Sequence, residues 1–224
     1  MIRFFDILLS LVALIFLSPI LLVICLILKF SGEGEILYLQ ARVGRHGNKF
    51  YIYKFATMLK NSESMGTGTI TVKDDPRVLP VGKFLRKTKI NELPQLLNIL
   101  LGDMSIIGPR PQDQRCFEAF RTEHQDIIKK CVPGLSGLGS IYFRDEEELL
   151  ANAEDADFLY DEIIMPYKGQ LEIWFIQNKN LSLYFKLILI TVIEVILPSR
   201  LNILTLFKSL PQPPVEITAL RGSQ

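Results

Sequence analysis

Ile7–Leu28, ILLSLVALIFLSPILLVICLIL, is a run of 22 residues without a charge, closed at its ends by Asp6 and Lys29. As a straight helix it is roughly 33 Å long, enough to cross a hydrocarbon core. It is long for the apolar part of a signal peptide, and Lys29-Phe30-Ser31-Gly32-Glu33 offers no small-residue cleavage site. Two details bear on how it meets the membrane. Arg3 and Lys29 place basic residues at both ends, so the excess of cations that orients a crossing helix is missing. Ser18-Pro19 lies near the middle, where proline removes one backbone hydrogen bond and crowds the preceding turn. Each half is then about 15 Å long, enough to enter one leaflet and return. A re-entrant hairpin with both ends cytoplasmic satisfies both details. An ordinary kinked transmembrane helix is the alternative, since proline is tolerated there.

Working outward, the 224 residues are 49% hydrophobic, too apolar for a disordered chain. Lys plus Arg number 25 and Asp plus Glu 24, and a formal charge of +1 excludes bulk capture of nucleic acid. Cys25, Cys116 and Cys131 form no CxxC pair and no even set, which excludes a disulfide scaffold and a zinc site. His46 and His124 are far apart with no metal-ligand spacing.

Beyond Lys29 the pattern predicts a strand at Ile36–Gln40, a tight turn over Arg42–Asn48 and an alternating strand over Lys49–Phe55. Asn61–Thr71 reads as a mobile Ser/Gly/Thr loop, and Asp75-Pro76 opens an element that runs to Lys89. A helix is predicted over Asn91–Leu101, with Asn91 as its N-cap, Pro94 in its first turn and Gly102 closing it. Phe117–Lys130 reads as one helix, Pro133–Gly139 as a glycine-rich loop, and the chain is helical again from Glu146. Residues 182–197 form an apolar helix too short to span, suited to an interface or to the core. The Pro-rich tail from Leu210 reads as flexible.

Chemistry concentrates in two places. Between Lys73 and Lys89 stand six basic residues (Lys73, Arg77, Lys83, Arg86, Lys87, Lys89) against Asp74 and Asp75. Such a strip attracts anionic headgroups, binds phosphate, or is simply a solvated face. Asn91-Glu92 follows at the predicted helix start, then Gly108-Pro-Arg-Pro111. A helix N-terminus favours phosphate oxygens. Glu92 is placed to hold Mg²⁺ against a diphosphate while Arg110 neutralises its other side. The acidic run Asp145-Glu146-Glu147-Glu148 reads as a solvated face, because consecutive carboxylates on a helix point in different directions.

Taken in order, these motifs resemble something specific. Ser18-Pro19 in an apolar segment, Gln40-x-Arg42-Val-Gly44, Lys54-Phe55, Asp75-Pro-Arg77 and Gly82-x-x-Leu-Arg86 begin the series. Asn91-Glu92-Leu-Pro-Gln95, Gly102-Asp-Met-Ser105, Gly108-Pro-Arg-Pro111 and Pro133-Gly-x-x-Gly137 complete it. The chain is similar, from about Ile2 to Val195, to the bacterial sugar transferases, the small monotopic phosphoglycosyl transferases. The resemblance implies a mostly helical α+β fold: a small catalytic domain on an N-terminal re-entrant helix-break-helix, with amphipathic interfacial helices. Residues 1–30 would be the membrane segment kinked at Ser18-Pro19, 31–209 the cytoplasmic catalytic domain, and 210–224 a flexible tail.

It further implies transfer of a phospho-sugar from a UDP-sugar to polyprenol (undecaprenyl) phosphate, with Mg²⁺ and release of UMP, at the cytoplasmic face of the bacterial inner membrane. This is the first membrane step of O-antigen, capsule, exopolysaccharide or glycoprotein glycan assembly, with downstream glycosyltransferases as possible partners. Carried over, Glu92 is the metal or catalytic carboxylate. Lys54, Arg77, Arg86 and Arg110 are the cations facing nucleotide diphosphate or lipid phosphate, and Pro109 and Pro111 fix the loop presenting Arg110. The chain departs from the pattern twice. Ala56-Thr57 stands where the family has Arg-Ser. At the Asp-Glu dyad whose aspartate attacks the β-phosphate, this chain has Asn91. A carboxamide is a poor nucleophile. Three outcomes follow: Glu92 becomes the nucleophile, with Asp103 helping to hold the metal; the lipid phosphate attacks directly while Asn91 positions the diphosphate; or the protein is a catalytically silent scaffold of a glycan assembly complex.

Overall fold

The computed structural model describes residues 1–65, 75–197 and 201–222, a mostly helical α+β chain. Lys73 and Asp74 of the basic strip, and residues 66–71 of the Ser/Gly/Thr loop, lie outside the described residues. The chain forms two compact units, Arg3–Ala41 with Tyr51–Gly102, and Met1–Ile2 with Arg42–Phe50 and Asp103–Gln224.

The first of these is built on helix α1 (Ile2–Lys29), followed by the hairpin of β1 (Leu37–Val43) and β2 (Lys49–Phe55), whose tip belongs to the other unit. Helix α1 runs as one element through Ser18-Pro19, where two half-helices are expected. Proline deprives the Ile15 carbonyl of its usual amide donor, and the Ser18 hydroxyl donates to that carbonyl instead, at 2.7 Å. Both ends of α1 are held in this unit. The Arg3 guanidinium donates to the Ile99 and Leu100 carbonyls, two of the orphan acceptors at the C-terminal end of α3 (Gln95–Leu101). At the other end Ile24 and Leu28 pack with Phe55 and with Leu85 of α2 (Pro80–Lys87), each such buried side chain contributing about 2 kcal/mol. Between the ends α1 is bare: Ile15 and Leu22 are 62% exposed and Phe16 79%.

Helix α2 begins at Pro80, five residues beyond the expected opening at Asp75-Pro76. Residues 77–79 pair instead with 57–59, through Leu79 N–H to the Thr57 carbonyl and Leu59 N–H to the Arg77 carbonyl, each at 2.9 Å. Gly82 is required by that approach, since a Cβ there would lie 2.1 Å from the Thr57 carbonyl oxygen. The predicted helix over Asn91–Leu101 is divided. Ile90–Glu92 is a single tight 3₁₀ turn, and α3 starts only at Gln95. Pro94 fixes its own φ and has no N–H, so the helix proper begins after it. Asn91 therefore does not cap α3, and the helix-dipole argument for an anion at Asn91 falls. Gly102 closes the helix in the left-handed region, as expected. The buried Asn98 makes two bonds that pattern reading does not anticipate: its amide donates to the Tyr51 carbonyl at 2.8 Å and accepts from Tyr53 N–H at 3.0 Å, fastening α3 to the β2 backbone.

The second unit pairs β3 (Ser105–Ile107) in parallel with β4 (Gly134–Ser136). Between them lie α4 (Gln114–Glu118) and α5 (Thr122–Ile128), two helices where one is expected over Phe117–Lys130. Phe117 and Phe120 turn inward together with their rings edge-to-face, although α4 ends between them at Glu118. Then follow α6 (Leu138–Tyr142), α7 (Glu146–Ala151), α8 (Ala156–Phe158) with a π-turn at Leu159–Ile164, α9 (Met165–Asn178), α10 (Leu181–Ile196), α11 (Ile203–Leu206) and α12 (Val215–Gly222). Helix α9 is the core element, with Met165, Leu171 and Phe175 fully buried and α5 and α6 packed on it. Helix α10 matches its expected span and is amphipathic: Leu183, Leu187 and Ile190 face inward while Phe185, Leu189, Val192 and Ile196 form an exposed stripe.

The tail is ordered where flexibility is expected. Leu210 and Ile217 are buried, Tyr167 donates to the Pro211 carbonyl at 2.8 Å, and Arg221 of α12 grips Asp145 with both nitrogens and stacks over the Tyr142 ring. Two of the four acidic residues at 145–148 are thus engaged, Asp145 by Arg221 and Glu146 by Lys168. Tertiary burial, invisible in a Pro-rich tail, sets this conformation.

Candidate active site

In the first unit, β2 and the Ile90–Glu92 turn bring two of the predicted groups together. Lys54 comes from the strand and Glu92 from the turn, with Nζ 3.6 Å from a carboxylate oxygen, and both side chains are more than four-fifths covered. The turn is entered through Lys89, whose φ of 59° places a side chain in the left-handed region. Backbone strain of this kind costs about 1–3 kcal/mol and persists only where the surroundings enforce it. Next to Glu92, Asn91 is buried, and its Oδ1 has no hydrogen-bond partner among the described residues. An orphaned amide oxygen beside a carboxylate supplies two hard oxygen donors. No cluster of three His, Cys, Asp or Glu occurs among the described residues. A divalent cation there would complete its shell from water and substrate phosphate, the usual arrangement for Mg²⁺.

Two further predicted cations lie in the same unit with different engagements. Arg77 is buried, with Nε and Nη2 on the Asp75 carboxylate and Nη1 donating to the Ser62 and Met65 carbonyls, each at 2.7 Å. Its fork is committed to holding the loop before α2. Arg86, on α2, meets Met58 Sδ at 3.8 Å and has no carboxylate partner among the described residues.

Pro109, Arg110 and Pro111 belong to the second unit. Gly108–Pro111 leaves β3 and crosses the Pro133–Gly137 loop at backbone contact: Gly108 N–H donates to the Ser136 carbonyl at 2.9 Å and Gly134 N–H to the Pro109 carbonyl at 2.8 Å. A Cβ on Gly134 would stand 2.1 Å from the Gly108 nitrogen, and one on Gly137 2.2 Å from the Gly108 oxygen. The two glycines of Pro133-Gly-x-x-Gly137 exist to let this crossing form. Downstream, Asp113 caps α4 through Cys116 N–H and pairs with Arg42 at 3.0 Å, and the Gln112 carbonyl accepts from Val43 N–H. Pro109 and Pro111 are buried and Arg110 is half-buried, lining a cleft with Gly44, Gln112 and Lys129. The loop is rigid and its arginine faces a cleft, which suits an anion held at a fixed place.

The sequence matches the bacterial sugar transferase family over residues 1–198. It is 39% identical over 158 residues to the exopolysaccharide production protein ExoY of Sinorhizobium fredii, covering 64% of this chain and 70% of that one. Over 166 residues it is 39% identical to the UDP-glucose:undecaprenyl-phosphate glucose-1-phosphate transferase of Klebsiella pneumoniae. It is 37% identical over 166 residues to the UDP-N-acetylgalactosamine-undecaprenyl-phosphate N-acetylgalactosaminephosphotransferase of Aeromonas hydrophila. Those two matches cover 70% of this chain but only 35% and 38% of the relatives, so the chain spans little more than a third of their length. With nearly the whole chain matched and every motif in order, this protein belongs to the bacterial sugar transferase family.

Proposed function

We propose that the protein transfers a phospho-sugar from a UDP-sugar to undecaprenyl phosphate, releasing UMP, as the initiating step of an exopolysaccharide, capsule or O-antigen. The observation that carries this reading lies in the first unit: Glu92 held by Lys54, with the orphaned oxygen of Asn91 as its chain neighbour. The relatives named for such transfers are enzymes, and nothing favours the scaffold alternative.

In this reading a phosphate oxygen of the lipid attacks the β-phosphorus of the donor. A new P–O bond forms, the bond to the α-phosphate oxygen breaks, and UMP departs with the electron pair. Asn91, neutral and not nucleophilic, orients the diphosphate through its amide. Lys54 and Arg86, both of the first unit, offset the charge that builds on the phosphate oxygens, and Arg110 is an anion-binding cation of the second unit. Arg77 acts at one remove, by fixing the loop. Glu92 and the Asn91 oxygen would hold Mg²⁺, which when bound supplies neutralisation of the diphosphate.

The lipid substrate places the site at a membrane, and a nucleotide-sugar donor places it on the cytoplasmic face. Helix α1, one element throughout, would enter and leave on that face by bending at Ser18-Pro19. The support is that Arg3 at one end and Leu28 at the other are both fastened to one unit while the middle is bare. The test is UMP release from a panel of UDP-sugars by nanodisc-held protein with undecaprenyl phosphate and Mg²⁺. Acceptor-dependent release from one sugar is expected. No release from any sugar by folded protein overturns the reading.

A further inference from the structure

Beneath the Arg110 loop lies a carboxyl group that the proposed reaction does not use. Glu172, on α9, is 1% exposed, and neither of its oxygens makes a hydrogen bond of ordinary geometry. It is wedged against the glycine loop: Oε1 lies 2.5 Å from where a Gly139 Cβ would be, and Oε2 3.7 Å from the corresponding point on Gly137. The backbone amides of Gly139 and Arg110 face it and favour its charged form. One buried carboxyl thus touches the glycine loop and the loop that carries Arg110, the two segments that cross at Gly108 and Gly134. An unsatisfied buried carboxyl is costly, and a group of similar shape without charge would serve mere packing better.

We propose that Glu172 is a positioning residue for Arg110: its carboxyl is the bed on which Gly108–Pro111 rests, and its ionisation sets how tightly that loop is held. Burial outweighs every other influence and raises its pKa from 4.5 to about 8. The titratable neighbours are Lys168, one helical turn earlier on the same helix, and Cys131 from the segment after α5, itself pushed up mainly by burial. Lys168 is in turn bound to Glu146 of α7. With the acid neutral, it stays sealed beneath the loop with no charge to solvate. With the acid ionised, a charge lies where water cannot reach it, opening the loop relieves that cost, and the loop loosens. What Arg110 then does for substrate rests on the transferase reading, but how firmly it is held does not.

The test is hydrogen exchange, read as protection factors, on full-length protein in nanodiscs between pH 6.5 and 9.5. Protection of the segments containing Arg110 and Gly139 is expected to fall about tenfold as pH rises toward 8 and to level off above it, a change of about 1.4 kcal/mol. Glu172→Gln, a neutral group of the same shape, is expected to abolish the step. Lys168→Met removes the cation that favours ionisation and is expected to move the step to higher pH. In parallel, KM for the UDP-sugar should rise across the same range in the parent and not in Glu172→Gln, with kcat less affected. A flat protection profile in the parent, or a step that persists in Glu172→Gln, overturns the inference. If the exchange step behaves as expected while no UDP-sugar is turned over, it is the transferase reading that fails. Should Glu172→Gln not fold, the Lys168→Met shift alone decides.

Discussion

Glu92 and Glu172 are both glutamates that phosphate-facing residues depend on, and their surroundings are opposite. Glu92 sits on a strained turn with a lysine 3.6 Å away and a path to solvent. Glu172 is sealed under the glycine loop and the Arg110 loop with no hydrogen bond of ordinary geometry. A partly exposed carboxylate at a turn lies within reach of a metal or substrate. A sealed carboxyl cannot bind substrate at all, and its influence reaches the reaction only through the backbone it supports. The difference separates groups that touch phosphate from groups that place them, and substitutions at the two positions should read out differently.

The largest effect expected is on rate. Glu92→Gln should lower kcat by about 10²–10³-fold, the scale of losing a preorganised charge in an active site, with no more than about 1 kcal/mol of stability change. Steady-state UMP release together with a thermal melt checks both parts. Gly134→Ala should do the reverse in kind: its new methyl carbon would meet the Gly108 backbone, costing about 3 kcal/mol of stability and displacing Arg110, visible as a lowered Tm with activity lost alongside.

The sealed carboxyl gives the next effect. Its folded-state pKa of about 8 stands above the unfolded 4.5, so between those values the folded state holds a proton the unfolded state has released. Stability from this group is therefore full below about pH 4.5 and is lost as pH rises toward 8, by at most about 1.4 kcal/mol per pH unit. Glu172→Gln should flatten that slope and raise the midpoint of denaturation at pH 8. Arg221→Ala should cost about 1–2 kcal/mol by freeing Asp145 and the Tyr142 carbonyl, and should expose the α12 segment to proteolysis. The smallest change is Lys89→Gly, which relieves the left-handed backbone and should raise stability by about 1 kcal/mol while loosening the Glu92 turn.

Much of the first region is legible in sequence. An uncharged run marks α1, strict alternation marks Lys49–Phe55, and Gly102 marks the end of α3. Asn91-Glu92 and Arg110 stand out because short polar motifs interrupt apolar chain. The misreadings have physical causes. Asn91 looks like an N-cap because Asn, Pro and a leucine run follow the usual order, yet Pro94 delays the helix to Gln95. Arg77 reads as a phosphate-facing cation because two of its partners, the Ser62 and Met65 carbonyls, are backbone atoms distant in sequence, and only Asp75 is near it in the chain. The tail reads as flexible because the burial of Ile217 and the grip on Asp145 are tertiary.

Glu172 was the least legible of all. One glutamate in a helix otherwise apolar over Leu171–Ile176 reads as its polar face, and only the glycines at 134, 137 and 139 signal a close approach nearby. Asn98 carries a clearer signal, a polar residue inside QLLNILL, where no amphipathic stripe calls for one.

The central claim is direct transfer to the lipid, with Asn91 orienting and not attacking. Rapid-quench measurement of UMP from the preferred UDP-sugar, with and without undecaprenyl phosphate, tests it most directly. No UMP above background without acceptor, and full turnover with it, is the result the account predicts. A burst of UMP stoichiometric with enzyme in the absence of acceptor would contradict it, because it would mean that a protein carboxylate, Glu92 first among them, takes the phospho-sugar before the lipid does.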